Sequence, residues 1–135
     1  WEGDYGRVVA GEAASWMALR DFSENVRTLS CVGLLASCCA PSKSFLWFLD
    51  ATGVYRARAL AIGNGADVVN KKLVAIDFSK LSKEHGARLL VDIVNEEGLG
   101  GRHRHWNLDP KSLVEIGIID AVGRSMRRVR QPFLP

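Results

Sequence analysis

The stretch from Asp50 to Leu73 constrains the fold most, because it holds a turn, an amphipathic strand, a glycine corner and a helix start in unbroken order. Its first residues, Asp50-Ala51-Thr52-Gly53, suit a turn between two strands, since an aspartate side chain bonds back to the backbone and glycine accepts a positive φ. The corner Gly63-Asn64-Gly65 ends the following strand and leads into a helix. The sequence therefore predicts an antiparallel strand pair directly before a helix.

The strand inside this stretch has two different faces. Alternation sets Arg56 and Arg58 on one side and Tyr55, Ala57 and Ala59 on the other. Successive strand residues point to opposite faces of a sheet, so this order is typical of a strand with one face in water. We expect the arginine side to be the wetted one.

Hydrophobic spacing predicts a helix, three strands, two helices and a final strand. The first strand is almost wholly apolar or small, so we expect both its faces to be covered, with Gly33 where another group comes close. Antiparallel strands beside grouped helices indicate an α+β fold, in which an antiparallel sheet carries two long helices on its face. The predicted elements are helices over Arg7–Glu24, Ala66–Ile76 and Ser82–Glu97 and strands over Thr28–Cys39, Ser44–Leu49, Val54–Ile62 and Leu113–Asp120.

Two helices have a predicted buried side. The first should turn one side to the core by helical spacing. The last begins at the N-cap residue Ser82 and should also bury one side. These positions are Val9, Ala13, Trp16, Met17 and Arg20 in the first helix and Leu89, Leu90, Ile93 and Val94 in the last.

Composition restricts the class of protein. A chain of 135 residues with 47% hydrophobic and 24% charged residues fits one ordinary globular domain. The net charge of +3 is too small to predict a nucleic-acid partner, and no run reaches the roughly 18 apolar residues of a membrane span. The start lacks the features of a secretion signal, and three cysteines, Cys31, Cys38 and Cys39, favour a reducing compartment. We therefore expect an intracellular, soluble protein.

The central stretch also carries a resemblance to a known family. A strand ending in Leu46-Trp47-x-x-Asp50 is followed by Thr52-Gly53-x-Tyr55 and then by a basic strand that closes on Ala61-Ile62-Gly63. This order, with Leu73 near the first turns of the next helix, resembles the central part of a proteasome α-type subunit. Ala51 stands where that family usually has proline.

The resemblance extends in both directions along the chain. Arg27–Ala36 is similar to the family's preceding strand, Leu81–Ala87 to its next helix start, and Val114–Ile119 to its late strand. The similarity thus runs in order from Gly6 to Asp120. The pair His85-Gly86 and the ending Pro132-Phe133-Leu134 point to the α type-1 subtype.

The resemblance implies a fold and a function. The fold would be part of the four-layer αββα sandwich of N-terminal-nucleophile hydrolases, with residues 1–120 forming a partial domain that lacks the family's N-terminal half and 121–135 forming a basic C-terminal tail. The function would be that of a non-catalytic structural subunit in the outer ring of a proteasome core particle. Its partners would be other proteasome subunits in a homo- or hetero-oligomeric ring, in cytoplasm and nucleus, with no nucleic acid, membrane or cofactor.

The family's chemistry gives the alternative. Catalytic β-type relatives expose an N-terminal threonine, released by a cut after glycine, whose amine acts as the base. Here Trp1 leads the chain, while Thr28 and Thr52 follow Arg27 and Ala51, so we predict no catalytic residue. The runner-up is a truncated β-type or other N-terminal-nucleophile hydrolase, a threonine peptidase subunit. A third hypothesis is a binding module of unrelated fold.

Two motifs of the sequence partly resemble ligand-binding sites, but neither matches such a site well. Gly63-Asn64-Gly65 stands where a phosphate loop would lie, yet Val68 occupies the third glycine position and Arg56 and Arg58 precede it. A plain strand-to-helix corner is the better interpretation. Cys38-Cys39 makes a poor metal pair, because adjacent strand residues point to opposite faces.

The second half of the chain holds the remaining candidates. His103 and His105 lack nearby ligands apart from Asp109 and are flanked by arginines, so we predict a surface insertion and no metal site. The arginines of the tail, between Arg124 and Arg130, lack interleaved aromatic residues, which favours a solvated, partly ordered tail over a nucleic-acid site. Gly123-Arg124-Ser125-Met126-Arg127 matches only half of a nucleophile elbow.

Overall fold

The computed structural model describes residues 5–23, 25, 27, 30–40, 43–94, 96, 115–120 and 125–130, with backbone only at 120 and 125–130. The described chain mixes helices and strands, which confirms the predicted combination of helices with an antiparallel sheet. Its elements are α1 (Tyr5–Asp21), β1 (Gly33–Ala40), β2 (Lys43–Asp50), β3 (Gly53–Ala57), α2 (Ala66–Val74), a 3₁₀ helix (Phe78–Lys80), α3 (Lys83–Ile93), β4 (Glu115–Asp120) and β5 (Ser125–Arg130).

The chain forms two compact units, one of Trp1–Ile62 with Ile119–Arg124 and one of Gly63–Ile118 with Ser125–Pro135. The first unit contains α1 and a three-stranded antiparallel sheet of order β1-β2-β3. The second contains α2, the 3₁₀ helix and α3. Among the described residues, no helix has both the length and the apolar character needed to cross a membrane.

The turn between β2 and β3 lies where the sequence predicts it. Asp50 pairs with Gly53 in the antiparallel register, and the Thr52 amide donates to Asp50 Oδ1 at 2.8 Å. Gly53 has a φ of 148°, a value that residues with a Cβ rarely adopt. Aspartate and glycine at this turn are thus explained by backbone geometry, and the predicted strand pair is confirmed.

Helix α1 packs on one face of this sheet through small side chains. Ala10, Ala14 and Met17 form a buried cluster with Leu49 of β2. Alanine lets a helix backbone approach a sheet closely, whereas larger side chains would hold it away. Two positions predicted to face the core, Val9 and Trp16, are exposed instead. Met17 and Ala13 confirm part of the predicted side, and the prediction was wrong for Val9 and Trp16 because close packing on the sheet selects the small residues of the helix.

Strand β1 differs from its prediction in length and burial. It begins at Gly33, and residues 30–32 are not in a strand. Exposure alternates, with Leu34, Ala36 and Cys39 exposed, so the expectation that both faces are covered was wrong. At Gly33 a Cβ would lie 3.3 Å from Leu49 Cγ, which confirms the predicted close approach.

Strand β3 is shorter than predicted, and its faces are reversed. It ends at Ala57, so Arg58 lies outside the sheet. Arg56 pairs with Trp47, a residue that packs against the α1 core, and its guanidinium carbon lies 4.8 Å from the Phe45 ring centroid. An arginine tolerates this face because its charged head stacks on an aromatic ring at the margin of the helix-covered area. Tyr55 is on the other face.

The second unit confirms two predicted helices. Helix α2 buries Val69 and Leu73, and α3 begins at the predicted N-cap, where Ser82 Oγ accepts from the His85 amide at 3.2 Å. Lys72 Nζ lies 3.0 Å from Glu96 Oε2.

The buried side of α3 is only partly the predicted one. It consists of Ala87, Val91 and Ile93, whereas Leu90 is exposed. Ile93 matches the prediction. As in α1, a small alanine is buried where a larger neighbour had been expected.

Strands β4 and β5 form a separate two-stranded sheet. Strand β4, Glu115–Asp120, confirms the described part of the predicted late strand, while 113–114 lie outside the described residues. The backbone of β5 occupies Ser125–Arg130, where the sequence had favoured a partly ordered tail. The turn at 41–42, the loop at 97–110 and residues 131–135 lie outside the described residues.

Candidate protein-interaction surface

The three-stranded sheet presents one apolar face away from α1. Helix α1 contacts the face that carries Leu35, Trp47, Leu49 and Val54. Because strand residues alternate between faces, the residues between these positions belong to the opposite side. We call that side the open face, and it consists of Leu34, Ala36, Leu46, Phe48, Tyr55 and Ala57.

Strand register makes the open face continuous. Leu34 pairs with Phe48 across β1 and β2, and Phe48 in turn pairs with Tyr55 across β2 and β3. The Phe48 and Tyr55 rings are tilted, with centroids 6.1 Å apart. Side chains that oppose each other in an antiparallel sheet are in contact distance. One apolar row therefore crosses all three strands.

Water reaches much of this row. Leu34 is 37% exposed and Tyr55 is 51% exposed, whereas Leu49 on the α1 side is only 5% exposed. Leu46 and Phe48 are half-buried. A contiguous exposed apolar patch on a folded unit is typical of surfaces that bind another protein, a membrane or an apolar ligand. The open face is the strongest candidate for such a site among the described residues.

A hydrogen-bonded turn lies at one end of the open face. Thr52 Oγ1 donates to Asp50 Oδ1 at 2.5 Å and lies 2.9 Å from the Tyr55 hydroxyl oxygen. The Thr52 hydroxyl, followed by the Thr52 amide, lowers the pKa of the Asp50 carboxyl below its ordinary value of 3.8. The carboxylate stays charged at neutral pH, and the hydroxyl network fixes the Tyr55 ring at the border of the apolar row.

The opposite end of the sheet carries a cysteine and a serine. Cys38 Sγ lies 3.4 Å from Ser44 Oγ and donates to the Ala40 carbonyl oxygen at 3.6 Å. The pairing of β1 with β2 is irregular between Cys38 and Ala40. Cys31, Cys38 and Cys39 are free thiols. Among the described residues, no group of His, Cys, Asp and Glu side chains is arranged to hold a metal ion.

The glycines of the corner Gly63-Asn64-Gly65 allow the backbone to turn into α2. Gly63 and Gly65 have φ values of 93° and 79°, and the Ala66 amide donates to the Gly63 carbonyl at 3.2 Å. Because β3 ends at Ala57, the corner does not directly follow a strand as predicted. The strand-loop-helix context of a phosphate loop is therefore missing at this corner.

Several candidate residues from the sequence are outside the described part of the chain. These are Thr28, His103, His105, Asp109 and Arg124. For 125–130 only the strand backbone is described, so the arginine side chains of that segment contribute nothing to the site. Thr52, which the sequence rules out as a catalytic nucleophile, lies beside the open face through its contact with Tyr55.

Sequence reasoning expects apolar side chains of these strands, Leu34, Leu35, Leu46, Trp47 and Phe48, to meet water, but it does not separate the open face from the side that α1 covers, where Leu35 and Trp47 lie. It expected β1 to be covered on both sides and the tyrosine face of β3 to be the dry one. The signal was present in the alternation of Leu34 and Leu35 and of Leu46 and Trp47. Both faces of these strands are apolar, so periodicity alone does not tell which face the helix covers.

No known protein family, curated protein or solved structure matches this chain in sequence or fold.

Proposed function

We propose that the chain is a non-catalytic structural subunit of a proteasome-type core particle, in the outer α-type ring, and that its open face packs against a second sheet. The observation that supports this most is the open face itself. A sheet with a helix packed on one side and an apolar surface on the other is suited to be an inner layer of a larger sandwich.

The proposed four-layer αββα arrangement accounts for both faces of the sheet. In such a sandwich, helices cover the outer face of each sheet, and the two inner faces pack on each other. Here α1 covers the side with Leu49, while the row from Leu34 through Phe48 to Tyr55 meets water. A second sheet would remove these side chains from water, which contributes about 25 cal/mol for each Å² of apolar surface.

The chemistry of Thr52 supports a non-catalytic role. A nucleophilic hydroxyl needs a nearby base whose pKa suits proton uptake. The Thr52 hydroxyl donates its hydrogen bond to Asp50 Oδ1. The pKa of that carboxyl is lowered, so Asp50 is a weak base. The same hydrogen bond that orders the turn thus disfavours hydroxyl activation.

Co-assembly tests the proposed function. The chain would be coexpressed with tagged α-type proteasome subunits, and the purified complexes would be weighed by native mass spectrometry. We expect the wild-type chain in ring-sized complexes. Leu34→Asp, which places a charge on the open face, should be left out of them.

Val74→Ser is the matched control, because Val74 is an exposed apolar residue of α2 in the second unit. It should assemble like the wild type. Failure of the wild type to enter any ring complex would count against the proposed function, and equal incorporation of Leu34→Asp would count against the role of the open face.

A further inference from the structure

Helix α1 carries a second exposed apolar surface, on the side away from the sheet. Trp16 is 51% exposed and Leu19 is 70% exposed, and Tyr5 and Val9 are exposed along the same side. We call this set, completed by Glu12 and Arg20, the outer stripe; each member has another three or four positions away. Residues at that spacing form one continuous side of a helix, which is the pattern of a helix-pairing surface.

Two charged side chains of the outer stripe lie at equal sequence distances from Trp16. Glu12 lies one turn before Trp16, and Arg20 lies one turn after it. The Arg20 guanidinium carbon is 4.9 Å from the Trp16 ring centroid. Arg20 Nε is buried without an acceptor, and no ion pair of Glu12 occurs among the described residues. Within the described part of the chain, neither Glu12 nor Arg20 has an ion-pair partner, so the stripe offers one acidic and one basic group for such pairing.

We propose that α1 pairs in antiparallel orientation with α1 of a second copy of this chain, about a two-fold axis at Trp16. In an antiparallel pair with this symmetry, a residue before the axis lies opposite the residue the same number of positions after it. Glu12 of each copy then lies opposite Arg20 of the other. The pairing forms two equivalent ion pairs on either side of the two Trp16 rings.

Charge complementarity selects a second copy as the occupant. The outer stripe has one negative residue, Glu12, and one positive residue, Arg20. A two-fold axis midway between them places Glu12 of each copy opposite Arg20 of the other. A carboxylate from the second copy also supplies an acceptor for the guanidinium donor of Arg20 after a change of rotamer.

This surface goes beyond the proposed function, because it lies on the other side of the first unit from the open face. Association through α1 leaves the open face available to a second sheet. The two surfaces are therefore separable by mutation.

A charge-swap cycle followed by sedimentation velocity tests the pairing. All variants carry Leu34→Asp, which suppresses association through the open face. Glu12→Arg and Arg20→Glu each place like charges opposite each other, so each should weaken the dimer by about tenfold in dissociation constant. Combining Glu12→Arg with Arg20→Glu restores opposite charges and should recover most of the affinity. Trp16→Ala should abolish the dimer.

Circular dichroism confirms that each variant keeps the helix content of its parent, which separates lost pairing from lost folding. The proposal is overturned if the Leu34→Asp parent is a monomer over the whole concentration range. It is also overturned if the single charge variants dimerise as tightly as the parent, or if the double variant is no tighter than the single ones. Recovery in the double variant establishes that Glu12 and Arg20 meet between copies.

Discussion

At the scale of single residues, leucines of the sheet lie in two different environments, one buried against α1 and the other exposed on the open face. Leu49 is 5% exposed against α1, whereas Leu34 lies on the open face. Leu49→Ala should destabilise the first unit by about 2–5 kcal/mol, because it removes buried methyl groups and leaves a cavity. Leu34→Ala is the matched control, and it should lower stability by roughly 1 kcal/mol or less. Urea unfolding of both variants measures the difference, and equal losses would contradict the assignment of faces.

Asp50 gives the turn a pH dependence. Its folded pKa is below the ordinary value of 3.8, so its contribution to stability is complete above that value and is lost as pH falls below it. Wild-type protein should therefore lose thermal stability between about pH 4 and pH 2 more steeply than Asp50→Asn. Melting curves across that range test the sign. A steeper loss in Asp50→Asn would show that the carboxylate does not stabilise the folded turn.

At the scale of elements, the N-cap of α3 is the feature that the sequence predicted best. Ser82 Oγ accepts from the His85 amide, which satisfies one of the free donors at the helix start. Ser82→Ala should destabilise α3 by about 1 kcal/mol, and Ser82→Asp should retain most of the capping. Amide hydrogen exchange in α3 provides the measurement. Similar protection in Ser82→Ala and the wild type would exclude a role for the cap.

Predictions from the sequence agree with the structure where the interactions that fix an element span only a few residues. The turn at Asp50 and the cap at Ser82 are set by side chain to backbone bonds over a few residues, so composition predicts them. The buried side of α1 depends on how closely a helix approaches a sheet, which favours Ala10 and Ala14 over Trp16. Such packing depends on tertiary contacts, which the periodicity of apolar residues does not predict.

The same limit applies to the candidate site. Apolar residues on both sides of β1 and β2 were recognised, but the sequence does not state which side a helix covers. Arg56 stays exposed as predicted, but it belongs to the face that α1 covers, where its guanidinium lies over the Phe45 ring. A prediction based on charge alone assigns arginine to water, whereas its long stem and flat head also suit an aromatic margin.

At the scale of the whole molecule, we expect the chain not to remain a monodisperse monomer. The open face holds contiguous apolar side chains in water, and such surfaces bind other surfaces or dyes. Light scattering across a concentration series should show association at tens of micromolar, with strong binding of an apolar dye. Leu34→Asp should reduce dye binding, whereas Val74→Ser should not. A monodisperse wild-type monomer with little dye binding would mean that the open face is covered.

Peptidase activity gives a further test of the non-catalytic role. The threonine within the described residues, Thr52, donates to a carboxylate of lowered pKa, so we expect no hydrolysis of fluorogenic peptides. Activity should be assayed with and without a threonine-directed inhibitor, using Thr52→Val as the control for this hydroxyl. Inhibitor-sensitive hydrolysis that follows the purified chain would favour the hydrolase alternative instead.

The unbroken order of α1, β1, β2 and β3 has a consequence for synthesis on the ribosome. Each strand pairs with the strand next to it in sequence, and α1 packs mainly on β2, so the whole core of this unit lies within residues 5–57. Such local topologies fold quickly, and nascent chains fold from the N-terminal side as they emerge. The helix and its sheet are therefore able to close their shared core without residues of α2 or α3. Whenever this unit folds ahead of its partner, the open face meets water, and we expect chaperones that cover apolar surfaces to bind it during that interval.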